Sequence, residues 1–321
     1  MTNTLVMKFG GTSVGSAENL TNAVKLVAAE RSRQPLVVVS ALGGVTDMLV
    51  RLADSVEARD LENLSATLAD IQARHLNLSE ELLFGDDLVA YQESFFTDYG
   101  MLERLIRQLL SVSGTDKADR DHILSFGERF GSKMFCFKLR TLAPRAYWCD
   151  AHNFMITTTR FGNARPDEEA TRAHLRQWVA PQLAQGRIVV TQGFVGATPH
   201  GFPTTLGRGG SDFTATYLAT LLPASNIQIW TDVSGVYTAD PRFNPQATPI
   251  PELSLQDAYR MARNGAKVLY PPCLLALRGK GIPLQILNTK EPEAKGTHIP
   301  ADFDTEKSHS HVPLLGIATT A

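Results

Sequence analysis

Cysteine is scarce. The 321 residues hold three, Cys136, Cys149 and Cys273, far apart and in no C-x-x-C pair, which argues against a disulfide or zinc framework and fits small buried thiols in a reducing compartment. No apolar run approaches the roughly 20 residues that span a bilayer, and no basic start followed by an apolar stretch opens the chain. Charge of neither sign dominates: Lys and Arg total 31, Asp and Glu 33, for a net charge of -2. Bulk charge therefore announces no nucleic-acid or membrane-surface partner. Internal repeats and low-complexity tracts are also missing. The expectation is a soluble, cytoplasmic chain long enough for one large or two ordinary domains.

What the chain does have is an alternation of short β-branched runs with long helical patterns. Compact apolar runs at 4–9 (TLVMKF), 35–41 (PLVVVSA), 187–194 (RIVVTQGF), 226–233 (NIQIWTDV) and 283–288 (PLQILN) are bounded by Gly, Pro or polar residues, the pattern of strands buried on both faces. Between the first two, Leu20, Val24 and Val27 recur at helical spacing behind a Ser16 cap. This rhythm predicts an α/β fold with a mostly parallel central sheet between helices. Residues 47–141 read almost entirely as helix, with Leu102, Leu105, Ile106 and Leu109 as one apolar packing stripe. A Thr-, Arg-, Gly- and Pro-rich stretch at 154–168 is expected to join an N-terminal lobe of about 1–168 to a second α/β lobe of about 169–300. Beyond 301 a polar run leads into a strand-like VPLLGIATT with no partner after it.

Glycine clusters carry the chemistry. Gly10, Gly11 and Gly15 follow the first strand in LVMKFGGTSVG at 5–15. Such a turn serves either a sharp chain reversal or the close approach of an anion to backbone N–H groups at a helix start. Lys8 precedes the glycines, so this is no Walker A loop, and no G-x-G-x-x-G with a distal acidic residue offers a dinucleotide site. A second cluster, TTLGRGGSD at 204–212, sets Arg208 among Gly207, Gly209 and Gly210, with Ser211 and Asp212 opening an apolar helix. Ser211 and Asp212 fit helix caps equally well, whereas an arginine among glycines suits bidentate recognition of carboxylate or phosphate. Two such cradles, each with one cation, point to a ligand with more than one anionic group. In WTDVSGVYTADPR at 230–242 a strand ends at Thr231 and Asp232, and a loop presents Tyr237, Asp240 and Arg242 where open α/β sheets bind ligands. Asp240–Pro241 is equally ordinary turn chemistry.

Together KFGGTSVG, VVVSALGGVTD, LSFGERFGS, VTQGFVG, TTLGRGGSD, WTDVSGVYTADPR and NGAKVLYP resemble the amino acid kinase family over nearly the whole chain, and within it the aspartate kinases. The resemblance implies transfer of the γ-phosphoryl group of ATP, with Mg2+, to the side-chain carboxylate of L-aspartate. The products would be 4-phospho-L-aspartate and ADP, the first step toward lysine, threonine and methionine. It also implies an N-terminal substrate lobe and a C-terminal nucleotide lobe. A carboxylate nucleophile of pKa about 3.9 is ionised at neutral pH and needs no general base. In keeping with this, none of the eight histidines stands in a catalytic setting, and His309 and His311 read as solvated linker residues. By the same resemblance Lys8 would neutralise the transferring group, with Asp212 holding it through an ion pair. Gly10, Gly11 and Ser13 would supply backbone and hydroxyl donors to the phosphates. Arg208 would take a substrate carboxylate and Glu128 the α-ammonium, with neutral hydrogen bonds from Thr46 and Ser211. Thr231, Asp232, Tyr237, Arg242 and Lys267 would serve the nucleotide, and no metal ligand is assigned. Read from pattern alone, Glu128, with Arg129 and Lys133 nearby, is an ordinary exposed helix charge.

Three departures from the family pattern matter. Asp47 in GGVTD stands where Asn is expected in many relatives, adding negative charge beside the substrate loop. Tyr270 in NGAKVLYP stands where histidine is frequent, an expected peripheral change. Family members usually continue into C-terminal ACT regulatory domains that bind effectors and support dimerisation. Residues 301–321 read as a linker and the first strand of such a region. The expectation is therefore a catalytic domain at 1–300, either excised from a longer protein, the favoured reading, or naturally short, without its own effector site and with any homo-oligomer weakened. Glutamate 5-kinase, acetylglutamate kinase, uridylate kinase and carbamate kinase share the architecture. A non-catalytic nucleotide-binding module is the reading from another class, and the presence of Lys8 and Asp212 speaks against it.

Overall fold

The computed structural model describes residues 4–239, 243–266 and 269–301. Asp240, Arg242, Lys267, His309, His311 and the strand expected near the end of the chain lie outside them. The first apolar run forms β1 (Thr4–Phe9), which continues one residue past Lys8, and a 3-10 turn at Thr12–Val14 leads into α1 (Ala17–Ala29). Ser16 caps α1 as read, its hydroxyl accepting the Asn19 N–H at 3.2 Å. Then come β2 (Leu36–Val39) and four helices, α2 (Val45–Ala58), α3 (Leu61–Leu82), α4 (Gly85–Ser111) and α5 (Lys117–Arg140). The remainder runs through β3 (Tyr147–Trp148), α6 (Glu168–Trp178), α7 (Ala180–Ala184), β4 (Val189–Gln192), β5 (Val195–Ala197), β6 (Pro203–Thr205) and α8 (Gly210–Leu221). It closes with β7 (Ala224–Thr231), β8 (Val236–Tyr237), β9 (Pro249–Ile250), α9 (Leu255–Arg263), α10 (Pro271–Leu277), β10 (Leu284–Asn288) and β11 (Thr297–Ile299).

Seven strands form the central sheet in the order β11-β10-β7-β1-β2-β4-β3. All neighbours are parallel except the β10–β11 pair at one edge. The alternation of side chains along each strand divides two cores between its faces. Leu5, Met7, Phe9, Val37 and Val39 pack with residues of α1 to α5 on one side. Val6, Leu36 and Val38 pack with α6 and α8 to α10 on the other. Lys8 shares the parity of Val6 and so belongs to the face covered by α8. Of the expected apolar stripe on α4, Leu102, Ile106 and Leu109 are buried and Leu105 is partly buried against the same core. Among the described residues no helix is long and apolar enough to cross a membrane.

Two features of this packing prepare the site. Helix α5 lies with its backbone against the loop after β2: a Cβ on Gly131 would come within 2.9 Å of the Ser40 carbonyl oxygen. The stretch at 154–168, read as a connector, is instead fastened into the fold. Thr157 donates its N–H to the Ala197 carbonyl at 2.8 Å, and Gly162 donates to the Asp121 carboxylate at 2.9 Å.

Candidate active site

In a parallel sheet the loops that carry ligand chemistry gather beyond the C-terminal strand ends. Here the turn after β1, the loop after β2, Phe194 after β4, the Gly207–Gly210 turn after β6 and the middle of α5 enclose a cleft of about 650 Å3. From the first half of the chain it brings together Lys8, Gly11, Thr46 and Glu128, and from the second Arg208, Ser211 and Asp212. No histidine is among its lining residues.

Lys8 Nζ lies 2.6 Å from Asp212 Oδ1, an ion pair joining the last turn of β1 to the first turn of α8. Asp212 and Ser211 are not caps. The N-cap is Gly209, in the left-handed region at φ +67°, and no side chain closes that end. Asp212 is thus free to hold the lysine.

Two of the glycines after β1 serve the tight packing of the turn itself. A Cβ on Gly11 would lie 3.0 Å from the Ala41 carbonyl oxygen, and one on Gly15 3.0 Å from that of Gly11. These two let the turn press against the loop after β2. Gly10 faces the other way, where a Cβ would sit 3.4 Å from Lys8 Nζ. Its absence leaves the space beside the ammonium unfilled. Arg74 of α3 stiffens the turn from behind, donating to the Gly15 carbonyl at 2.6 Å. The Ser13 hydroxyl differs from a free donor: it donates to the Trp230 carbonyl at 3.3 Å and accepts from the Thr289 hydroxyl at 2.7 Å. It ties the turn to the ends of β7 and β10.

Glu128 is the strongest electrostatic feature. It is buried, not an exposed helix charge, and its Oε2 has no hydrogen-bond partner. Burial raises its pKa to about 8 against the opposing pull of backbone N–H groups, including that of Ala41. The flanking cations that made it look solvent-facing are absorbed elsewhere. Arg129 Nε and Lys133 Nζ reach the buried Asp98 at 2.9 and 2.5 Å, and Arg129 also pairs with Asp150. A buried acid on a cleft wall with one oxygen left unpartnered suits a cation that arrives with the ligand.

The other described positions named from sequence, Thr231, Asp232 and Tyr237, are not among the residues lining this cleft. Thr231 is half-buried at the end of β7 with its hydroxyl donating to exposed Asp232 at 3.2 Å, and its carbonyl accepts the Thr289 N–H at 2.9 Å. Tyr237 is half-buried on β8, in a two-stranded ribbon with β9. The end of β7 adjoins the glycine turn, since Gly10 donates its N–H to the Trp230 carbonyl at 3.2 Å; that N–H is therefore already engaged and is not the free phosphate donor expected from the sequence. Tyr270 is not peripheral: a Cβ on Gly209 would meet the Tyr270 Cβ at 2.4 Å, so the tyrosine underlies the Arg208 turn.

Residues the sequence reading missed also line the cleft, notably Asp121, Arg120 and Phe194. Phe194 carries a positive φ of 65° without being glycine, a strained backbone of the kind found near functional sites. No sequence signal marks it. Arg120 is drawn aside by Asp54 at 2.6 Å.

Residues 3–288 match the model of the amino acid kinase family. The chain is 38% identical over 303 residues to the lysine-sensitive aspartokinase 3 of Escherichia coli, covering 92% of this chain and 64% of that protein. It is 33% identical over 317 residues to the chloroplastic bifunctional aspartokinase/homoserine dehydrogenase 2 of Arabidopsis thaliana, covering 98% of this chain and 34% of that protein. The crystal structure of E. coli aspartokinase III in complex with aspartate and ADP superposes with a TM-score of 0.86 at 34% identity, over 94% of this chain and 66% of that one. The chain thus spans from about a third to just under two thirds of the length of these relatives.

Proposed function

Because the chain belongs to the amino acid kinase family, we propose that it transfers the γ-phosphoryl group of ATP to the side-chain carboxylate of L-aspartate, giving 4-phospho-L-aspartate and ADP. The observation that carries the reading is the pairing, in one cleft, of a buried acid with one unpartnered oxygen, Glu128, with the cations Arg208 and Lys8. A small zwitterion with a second carboxylate matches that charge pattern. Its α-ammonium meets Glu128, its α-carboxylate meets Arg208, and its side-chain carboxylate lies toward Lys8 with hydrogen bonds from Thr46 and Ser211. The aspartate and ADP held by E. coli aspartokinase III, a structural relative, support this assignment. N-acetylglutamate is disfavoured, since an acetylated nitrogen brings no charge to Glu128.

The chemistry asks little of the protein beyond placement and charge. The attacking carboxylate is already ionised, so no base is needed, in keeping with a cleft wall free of histidine. Lys8, steadied by Asp212, neutralises charge building on the transferring group. Gly10 and Gly11 bring backbone close to the phosphates, and Ser13 holds the turn in place through Trp230 and Thr289. Thr231, Asp232 and Tyr237 receive the nucleotide, together with Arg242 and Lys267 from outside the described residues. Among the described residues no three His, Cys, Asp or Glu side chains cluster to hold a metal. This donor set fits a Mg2+ ion that enters on the nucleotide phosphates, where it would shield their charge. Residues 1–300 are the catalytic domain in this reading, and the three free buried cysteines fit a cytoplasmic setting.

The test is ADP release by the purified chain with Mg-ATP and L-aspartate, the acyl phosphate being trapped with hydroxylamine, beside L-glutamate, N-acetylglutamate, UMP and carbamate. Aspartate-dependent hydroxamate formation is expected. Turnover of another acceptor in its place would keep the family and overturn the substrate.

A further inference from the structure

The Arg208 turn is gripped on every side. Leu206 donates its N–H to the Phe194 carbonyl at 2.8 Å, and the Gly210 N–H closes back onto Gly207 at 3.0 Å. Gly207, at φ +76°, lies so close to Gly162 that a Cβ would come 3.1 Å from its carbonyl oxygen. Both segments of that contact end on one side chain. Asp121 Oδ2 accepts the N–H groups of Gly162 and Thr205 at 2.9 and 2.8 Å, and Oδ1 accepts the Thr205 hydroxyl at 2.7 Å. Asp121 is buried, and all three of these donors are neutral. Burial raises its pKa while these donors oppose the rise. It stands on the same helix as Glu128, two turns earlier.

We propose that Asp121 is a positioning residue for the substrate clamp: by holding Gly162 and Thr205 it fixes the Arg208 turn relative to Glu128, so that one rigid helix sets the spacing between the groups that receive the substrate's carboxylate and ammonium. Although Asp121 lies on the cleft wall, its two carboxylate oxygens are taken up by these three donors, so its proposed role is to position the turn. Its three acceptor contacts do on α5 what a second-layer orienting group does in other sites, by denying the binding loop its alternative positions. This inference rests on the aspartate reading for its kinetic consequences but not for its structural one.

The experiment compares Asp121→Ala, Asp121→Asn and Thr205→Val with the parent chain. It measures KM for aspartate and for ATP, and backbone hydrogen exchange at residues 206–209. Asparagine can accept the two N–H groups with its oxygen and donate to the Thr205 hydroxyl with its amide, so it keeps the clamp while losing the charge. The expected result is a KM for aspartate raised about tenfold or more in Asp121→Ala and less in Thr205→Val, with KM for ATP within about twofold and Asp121→Asn within about threefold of the parent. Exchange at 206–209 should quicken in Asp121→Ala. In an Arg208→Ala background the Asp121→Ala effect on kcat/KM for aspartate should disappear. An unchanged KM for aspartate in folded Asp121→Ala, or Asp121→Asn as damaged as alanine, would overturn the proposal. Should Asp121→Ala fail to fold, an unchanged KM for aspartate in Thr205→Val overturns it instead. A parent chain that leaves aspartate untouched defeats the functional reading alone, and the exchange data then decide the clamp.

Discussion

The two ends of the site are built differently. At the proposed substrate end Glu128 and Asp121 are buried on α5, and the Arg208 turn is held by a backbone hydrogen bond to Phe194 and by close packing on Gly162 and on the Tyr270 side chain. At the proposed nucleotide end Thr231, Asp232 and Tyr237 sit half-buried or exposed, at the end of β7, just after it and on a two-stranded ribbon. One end is set in the core of a helical layer, and the other lies at the C-terminal end of β7, an interior strand of the sheet, and on the separate β8–β9 ribbon. Under the proposed function the difference follows from what each end must discriminate. A small zwitterion offers few atoms, so selectivity requires groups fixed before it arrives. A nucleotide offers a ring, a sugar and phosphates, and an open surface can collect many weak contacts.

Lys8 lies between the two ends, and its replacement should have the largest effect. Lys8→Ala is expected to lower kcat by about 10²–10³-fold, with the far-UV circular dichroism spectrum unchanged. A kcat near the parent value would remove the lysine from the chemistry. Next comes the rigidity of the substrate end. Gly131→Ala forces a methyl toward the Ser40 carbonyl, 2.9 Å away, and should cost about 1–3 kcal/mol of stability in chemical denaturation. It should also weaken aspartate binding more than ATP binding, and an equal loss of both would blur the contrast between the two ends. The nucleotide end should be more forgiving. Tyr237→Ala is expected to raise KM for ATP about three- to tenfold and leave KM for aspartate alone. A rise in the aspartate KM instead would place the ribbon in the substrate end.

Much of the fold was legible. The β-branched runs at 4–9, 35–41, 187–194, 226–233 and 283–288 each hold a strand, because buried parallel strands need continuous apolar sequence. The Lys8–Asp212 pair was legible only through resemblance, since neither residue's own surroundings in sequence point to the other. Burial of Glu128 was hidden for a physical reason. Arg129 and Lys133 advertise a solvent face, yet Asp98 on α4 and Asp150 before Ala151 take up their charge, and such partners lie far away in the chain. Asp121 was hidden for another: its donors are backbone groups and one hydroxyl, which leave no compositional trace. Tyr270 looked peripheral because only the folded chain brings it beneath Gly209.

Glu128 also gives the account its sharpest handle. Its pKa near 8, against an ordinary value of 4.5, means the folded chain binds a proton that the unfolded chain has released between those limits. Stability of the ligand-free chain should therefore fall as pH rises from about 4.5 to 8, and Glu128→Gln should remove that fall. An ammonium ligand reverses the preference by stabilising the ionised carboxylate. The measurement that tests the central claim most directly is calorimetric titration of L-aspartate between pH 6 and 8.5, in buffers of different ionisation enthalpy, with the parent chain and Glu128→Gln. Affinity should strengthen with pH up to about 8 with release of a proton on binding, and the variant should bind weakly with neither dependence. A parent affinity that is flat with pH and matches the variant would contradict the pairing of Glu128 with the substrate ammonium.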